Sequence, residues 1–211
     1  MQKILVIGGR SGIGLQTVEL GRQAGRSMFA FSRNTIQGVN NGVQYLRGDV
    51  TDSGDVRAAV RGMDAVVLSL GVPLDLRMLT GPISVFSAGT RIVIDAMQNE
   101  GVERLVVVTG FGAGDSLAAI HPLQRIGFNW VFGRAYADKN LQEQHVQSSA
   151  LQWTIVRPGI LTNGRCNEAH QVLVAPSVWR NGIVSRASVA HFILQTIQQG
   201  THVHQAPVVI N

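Results

Sequence analysis

The sequence lacks the features that mark several protein classes. Its 211 residues include one cysteine, Cys166, so no internal disulfide can form. With no second thiol and no histidine cluster at ligand spacing, no metal site is expected, and Cys166 reads as a spectator. No apolar run approaches the roughly 20 residues needed to span a bilayer, so no membrane partner is expected. Charged residues are few, at 15%, and mean hydropathy is positive, which excludes a disordered chain. Aromatics are fewer still, at 6%, and no Lys/Arg stripe interleaves with them. The net charge of +5 therefore points away from nucleic acid and leaves an anionic small ligand as its natural partner. The opening residues carry no basic segment, long apolar segment and cleavage site in succession, so a cytoplasmic location is the expectation.

What the sequence does have is apolar mass, 45% hydrophobic, and 24 glycines. That suits one α/β domain over 1–211. Short β-branched runs recur at Lys3–Ile7, Ser27–Phe31, Val43–Leu46, Ala65–Leu70, Arg104–Thr109, Trp153–Arg157 and Pro207–Ile210. Runs apolar on both faces suit parallel strands covered on each side. Between them, helical periodicity covers roughly Gly12 to Ala24, Ser53 to Arg61, Thr80 to Glu100, Gly133 to Ser149 and Ser188 to Gln199. The alternation predicts a doubly wound parallel sheet of Rossmann type, which binds ligands at the carboxyl ends of its strands. Two irregular stretches, near 111–132 and 161–186, read as substrate-side insertions.

Directly after the first run comes Gly8-Gly9-Arg10-Ser11-Gly12-Ile13-Gly14, opening a helix. Strand, glycine loop and helix together form a dinucleotide site: glycine lets backbone N–H groups approach a pyrophosphate, and the helix N-terminus favours its charge. An acid at the end of the second strand would bind a ribose 2′-OH. Here Phe31-Ser32-Arg33-Asn34 has none. Arg33 and Arg10 instead suit a 2′-phosphate, favouring NADP(H) over NAD(H). Asp49 in Gly48-Asp49-Val50 suits the adenine edge or a turn, and Leu70-Gly71 marks backbone passing beside the cofactor.

These residues, with Thr109-Gly110, Tyr136-Ala137-Asp138-Lys139, Thr154-Ile155-Val156-Arg157-Pro158-Gly159 and Ser185-Arg186-Ala187-Ser188-Val189-Ala190, resemble the atypical short-chain dehydrogenase/reductase family over essentially the whole chain. Within it the biliverdin-IXβ reductase/flavin reductase branch is most similar, and the NmrA-like sensors are more distant. The resemblance implies NADPH, hydride transfer to flavins or linear tetrapyrroles, Lys139 on the nicotinamide ribose, and Pro158, Gly159 and Ile160 backing the nicotinamide by main-chain contacts.

Carbonyl reductases of that superfamily use a serine after the fifth strand, with tyrosine and lysine spaced Y-x-x-x-K. Here Thr109 and Gly110 stand at the serine position, and Tyr136 precedes Lys139 by three residues, an offset that turns it about 100° on a helix. Lys139, Tyr136 and Thr109 remain the catalytic candidates, without the usual proton relay. Such a site handles a ketone alkoxide poorly and suits a planar conjugated acceptor that spreads the incoming charge. Phe111, Trp130, Phe132 and Trp179 are candidate walls for it; Arg125, Arg134 or Arg165 would meet an anionic tail, and His121 is a possible proton donor. Ser188 is the expected N-cap of the last helix. The expected activity is reduction of a flavin or similar acceptor, with quinone or carbonyl reduction, or NADP sensing without turnover, as alternatives. A monomer or homodimer fits equally.

Overall fold

The computed structural model describes residues 2–71, 84–119 and 136–211. The first half runs β1 (Lys3–Ile7), α1 (Gly12–Gln23), β2 (Ser27–Ser32), β3 (Gly38–Asn40), β4 (Val43–Arg47), α2 (Ser53–Val60) and β5 (Ala65–Leu68). There follow α3 (Val85–Glu100), β6 (Arg104–Val108), a 3-10 turn at Gly114–Ala119 and α4, helical over 136–147. The chain closes with β7 (Gln152–Pro158), β8 (Ile160–Thr162), β9 (Gln171–Leu173), a 3-10 turn at Pro176–Val178, β10 (Ile183–Ser185), α5 (Arg186–Gln199) and β11 (Val208–Ile210).

Nine strands form one sheet in the order β3-β4-β2-β1-β5-β6-β7-β11-β9. Its centre is parallel: Ile4 pairs with Met28 on one side and with Ala65 on the other. Antiparallel strands border it, β3 against β4 and β9 against β11. Strand side chains alternate between faces, so two apolar layers form. Leu5 and Ile7 pack with Val56, Val93, Met97 and Val146 of α2, α3 and α4. Ile4 and Val6 pack with Ile13, Val18, Val189 and Ile193 of α1 and α5. Helices on both faces make the sheet doubly wound, as the alternating pattern predicted.

The expected strands appear with bounds shifted by no more than two residues. Four short strands were not anticipated. β3 is joined to β4 by Asn41-Gly42, whose φ angles of 49° and 76° are those of a two-residue type I′ hairpin turn. β8, β9 and β10 fall in the second stretch read as irregular; β8 and β10 form a separate two-stranded parallel sheet. The last helix begins two residues early. Its N-cap is Ser185, whose hydroxyl accepts the Ser188 N–H at 2.9 Å. Ser188 instead uses its oxygen to hold the Asn167 N–H at 2.8 Å. Among the described residues no helix is long and apolar enough to cross a membrane.

Candidate active site

At the carboxyl end of β1 the backbone turns through Gly8 at φ +87°. A side chain there would run into the Ser69 carbonyl, and one at Gly14 into the carbonyl of Gly8. The loop thus needs glycine at both points to press α1 against the sheet. Ser11 is the N-cap of α1, yet its side chain makes no capping bond and no acid occupies the first turn. In α2, Asp52 caps at 2.9 Å and Asp55 lies in the first turn. The N-terminus of α1 therefore presents its donors and positive dipole end uncompensated, which fits a pyrophosphate.

Arg10 and Arg33 are both exposed on this side of the sheet. Asp49 lies near Arg33: its pKa is lowered by hydrogen bonds from the Thr51 N–H and hydroxyl, at 2.9 and 2.8 Å, and further by the Arg33 charge. One carboxylate oxygen thereby closes a turn before α2. Arg186, at the start of α5, carries no role in the sequence reading beyond its place in the segment Ser185–Ala190. Its Nε lies 3.9 Å from where a Cβ on Gly12 would sit, and its Nη1 is held by Asn163 Oδ1 at 2.7 Å. A guanidinium over the helix opening is a feature no local sequence rule would place. At Gly71 a side chain would meet nothing within 4 Å.

At the end of β6, Gly110 leaves room for two side chains of α4. A Cβ on it would lie 2.9 Å from the Tyr136 hydroxyl and 3.7 Å from Lys139 Nζ. The three-residue offset therefore does not separate the pair; residues three apart on a helix are neighbours, and both reach the same point. Lys139 donates to the Thr109 carbonyl. Its ammonium lies 5.3 Å from the centre of the Phe86 ring and 5.6 Å from that of Tyr136. Burial lowers its pKa to about 8 against an opposing pull from Glu143. Tyr136 donates to the Phe111 carbonyl at 3.2 Å. Its pKa is raised by burial and then by the Glu143 charge, the reverse of what an acidified tyrosine relay needs.

The Thr109 hydroxyl donates to Glu143 Oε1 at 2.7 Å, a buried carboxylate that sequence reasoning passed over. Much of the main chain at Pro158, Gly159 and Ile160 is committed within the fold. The Gly159 N–H is spent on the Val209 carbonyl at 3.1 Å and that of Ile160 on Gly182 at 2.8 Å, while the Pro158 carbonyl accepts Phe111 at 2.9 Å. Glycine is needed at 159 because the Gly182 backbone runs against it. Ile160 itself is 59% exposed.

Of the candidate walls, Phe111 is buried in a small apolar cluster with Leu173, Val208 and Ile210. Trp179 packs against that cluster, donates Nε1 to the Leu173 carbonyl at 3.0 Å and stacks on Arg157. His121, Arg125, Trp130, Phe132 and Arg134 lie outside the described residues. Arg165 is exposed. Among the described residues no group of three or more His, Cys, Asp or Glu side chains is placed to hold a metal ion.

Comparison with known proteins bears on this geometry. The NAD(P)H-binding family matches residues 8–200. An NAD(P)H azoreductase of Xenophilus azovorans is 31% identical over 160 residues, covering 74% of this chain and 47% of that protein. An uncharacterized chloroplastic protein of Arabidopsis thaliana is 30% identical over 160 residues, covering 74% and 56%. The chain thus matches about half the length of these curated relatives. Among solved structures, ChuY, an anaerobillin reductase from Escherichia coli O157:H7, superposes with a TM-score of 0.80 at 26% identity, covering 99% of this chain and 97% of that one. A short-chain dehydrogenase/reductase of Veillonella parvula in complex with NADP shares the fold at 14% identity, with a TM-score of 0.82 over 100% and 94% of the chains. A Rossmann sheet, a glycine loop against an open helix end and a match over nearly all its length agree: the chain belongs to the NAD(P)H-binding family.

Proposed function

We propose that this protein is an NADPH-dependent reductase of planar, conjugated acceptors such as flavins, linear tetrapyrroles or azo compounds. The observation that carries this reading is the pairing at Gly110: a sequestered ammonium, Lys139, beside a phenol whose proton is held more tightly than usual, Tyr136. Among the described residues no tyrosine of lowered pKa stands there to pass a proton to an alkoxide. An acceptor that delocalises the incoming charge needs none. The names of two relatives, an azoreductase and an anaerobillin reductase, belong to reductases of extended π systems and support the same class.

NADPH, when bound, supplies the hydride. The remaining roles fall to the chain. The open end of α1, with the loop from Gly8 through Gly14 and Arg186 beside Gly12, holds the phosphates. Arg10 and Arg33 take the 2′-phosphate, which makes NADP(H) the preferred form. Lys139 has one donor on the Thr109 carbonyl and two left for ribose hydroxyls. Position and exclusion of water then supply much of the rate.

The test is an acceptor panel with NADPH as donor: FMN, biliverdin, an azo dye, a quinone and a simple ketone, followed by loss of NADPH absorbance. Turnover of the conjugated acceptors that outpaces the ketone and falls in Arg33→Glu supports the reading. Tight NADP binding without oxidation of any acceptor would assign the chain to nucleotide sensing instead.

A further inference from the structure

Glu143 and Arg157 have no part in the chemistry above, yet they form a charged pair with both side chains at 2% exposure or less. Charges this far from water persist only when paired and hydrogen-bonded. Both carboxylate oxygens are engaged. Oε1 accepts the Thr109 hydroxyl at 2.7 Å and Arg157 Nε at 3.1 Å; Oε2 accepts Arg157 Nη2 at 2.6 Å. Arg157 is also met by Asp115, whose Oδ1 lies 2.5 Å from Nη2, and by the Trp179 ring at 5.0 Å. Gly114 leaves the space, since a Cβ on it would lie 2.8 Å from Nη2.

Glu143 follows Lys139 by one helical turn, the spacing at which side chains on a helix interact. Thr109 joins the two, giving its hydroxyl to the carboxylate and its carbonyl to the ammonium. We propose that Glu143, fixed by Arg157, is a positioning residue that holds Lys139 protonated and aimed at the end of β6. This extends the reading of Lys139 given under Proposed function.

Among the described residues, the groups that bear on the ammonium are Tyr136, Asp138 and Glu143 on α4, Phe86 on α3, the Thr109 carbonyl after β6, Arg157 on β7 and Asp115 on the 3-10 turn. Asp138 is committed to the Phe86 N–H and Ser87, and Asp115 to Arg157. Glu143 is left as the carboxylate that favours the charged lysine, and burial works against it.

The chain has only two lysines, Lys3 and Lys139, so carbon-13 lysine labelling gives two side-chain signals, and Lys139→Arg assigns them. In the protein without nucleotide, the Lys139 signal should titrate near pH 8. Glu143→Gln should move that midpoint down by about one pH unit, the low end of the effect of a nearby opposite charge, and leave Lys3 unmoved. Because Glu143→Gln strands a buried guanidinium and can unfold the chain, Glu143→Gln/Arg157→Met removes both charges together and should still shift the midpoint down, by less, since the lost guanidinium had itself opposed the lysine charge.

NADP affinity measured against pH by calorimetry is the second readout, and its alkaline decline should move with the lysine. An unmoved Lys139 midpoint in a folded variant overturns the proposal. A shifted midpoint with nucleotide binding indifferent to it supports the Glu143–Lys139 coupling and overturns the assignment of Lys139 to the nucleotide.

Discussion

Asp138 caps a helix it does not belong to: its Oδ2 accepts the Phe86 N–H at 2.9 Å and the Ser87 N–H at 3.4 Å, and its Oδ1 accepts the Ser87 hydroxyl. The N-cap residue of α3, Ser84, makes no side-chain capping bond of its own. A buried side chain on α4 therefore satisfies the orphan donors of its neighbour. It also fixes Phe86, the ring that lies against the Lys139 ammonium.

Removing that cap should be costly. Asp138→Ala is expected to lower unfolding free energy by about 2 kcal/mol, the upper range for a lost cap, with buried donors left unpaired. Asp138→Asn, which keeps an acceptor oxygen, should lose clearly less. Urea unfolding of the two variants beside the parent checks the ranking.

Gly110→Ala should separate activity from stability. The added methyl falls 2.9 Å from the Tyr136 hydroxyl, a clash that the side chain relieves by moving. Stability should change by less than about 1.5 kcal/mol. Turnover should fall by about tenfold or more, since displacement at a reacting centre is expensive. Gly110→Ala/Tyr136→Phe removes the clashing oxygen and should recover part of the rate. Equal rates in the single and double variants would show that the loss does not pass through Tyr136.

Loss of either arginine on the adenosine side should fall on one nucleotide. Arg33→Glu and Arg10→Glu are each expected to weaken NADP by about 10-fold to 100-fold, matching about 1.5 to 3 kcal/mol for a charged hydrogen bond. NAD affinity should stay level or improve. Calorimetric titration with both nucleotides measures the ratio directly.

Lys139 should also leave a mark on the stability of the protein without nucleotide. Its pKa falls from 10.5 to about 8 on folding, so between those values the unfolded chain binds more protons than the folded one. Stability from this group therefore rises with pH across that window. Lys139→Met should abolish the rise, seen as a loss of slope when urea midpoints are compared at stepped pH.

The sequence made the sheet legible because β1, β5, β6 and β7 are apolar on both faces, a pattern that parallel strands under two layers of helix require. The glycine loop was legible because strand, glycines and helix stand in one contiguous segment. The hairpin at β3 carried the expected sign, Asn41-Gly42, but Gly38–Asn40 is exposed throughout and gave no apolar alternation to support it. Ser185 and Ser188 stand three apart, and either residue type caps a helix; only the packing of β10 decides between them. Glu143 and Arg157 lie on different elements, 14 positions apart. Each alone resembles a surface charge, and it takes the fold to reveal a pair. Where the Gly159 and Ile160 amides bond was illegible for a related reason. Their partners come from Val209 and Gly182, residues remote along the chain.

In the sheet order β4-β2-β1-β5-β6-β7, successive strands leave β1 on one flank and then resume at β5 on the other. Arg10, Arg33 and Asp49 belong to the first flank; Tyr136, Lys139 and Trp179 follow β6 and β7 on the second. Preference between the two forms of the nucleotide would accordingly be set before β5, and choice of acceptor after it. An exchange of everything before β5 between relatives could retune one choice while leaving the other intact, which makes that crossover a natural seam for recombination.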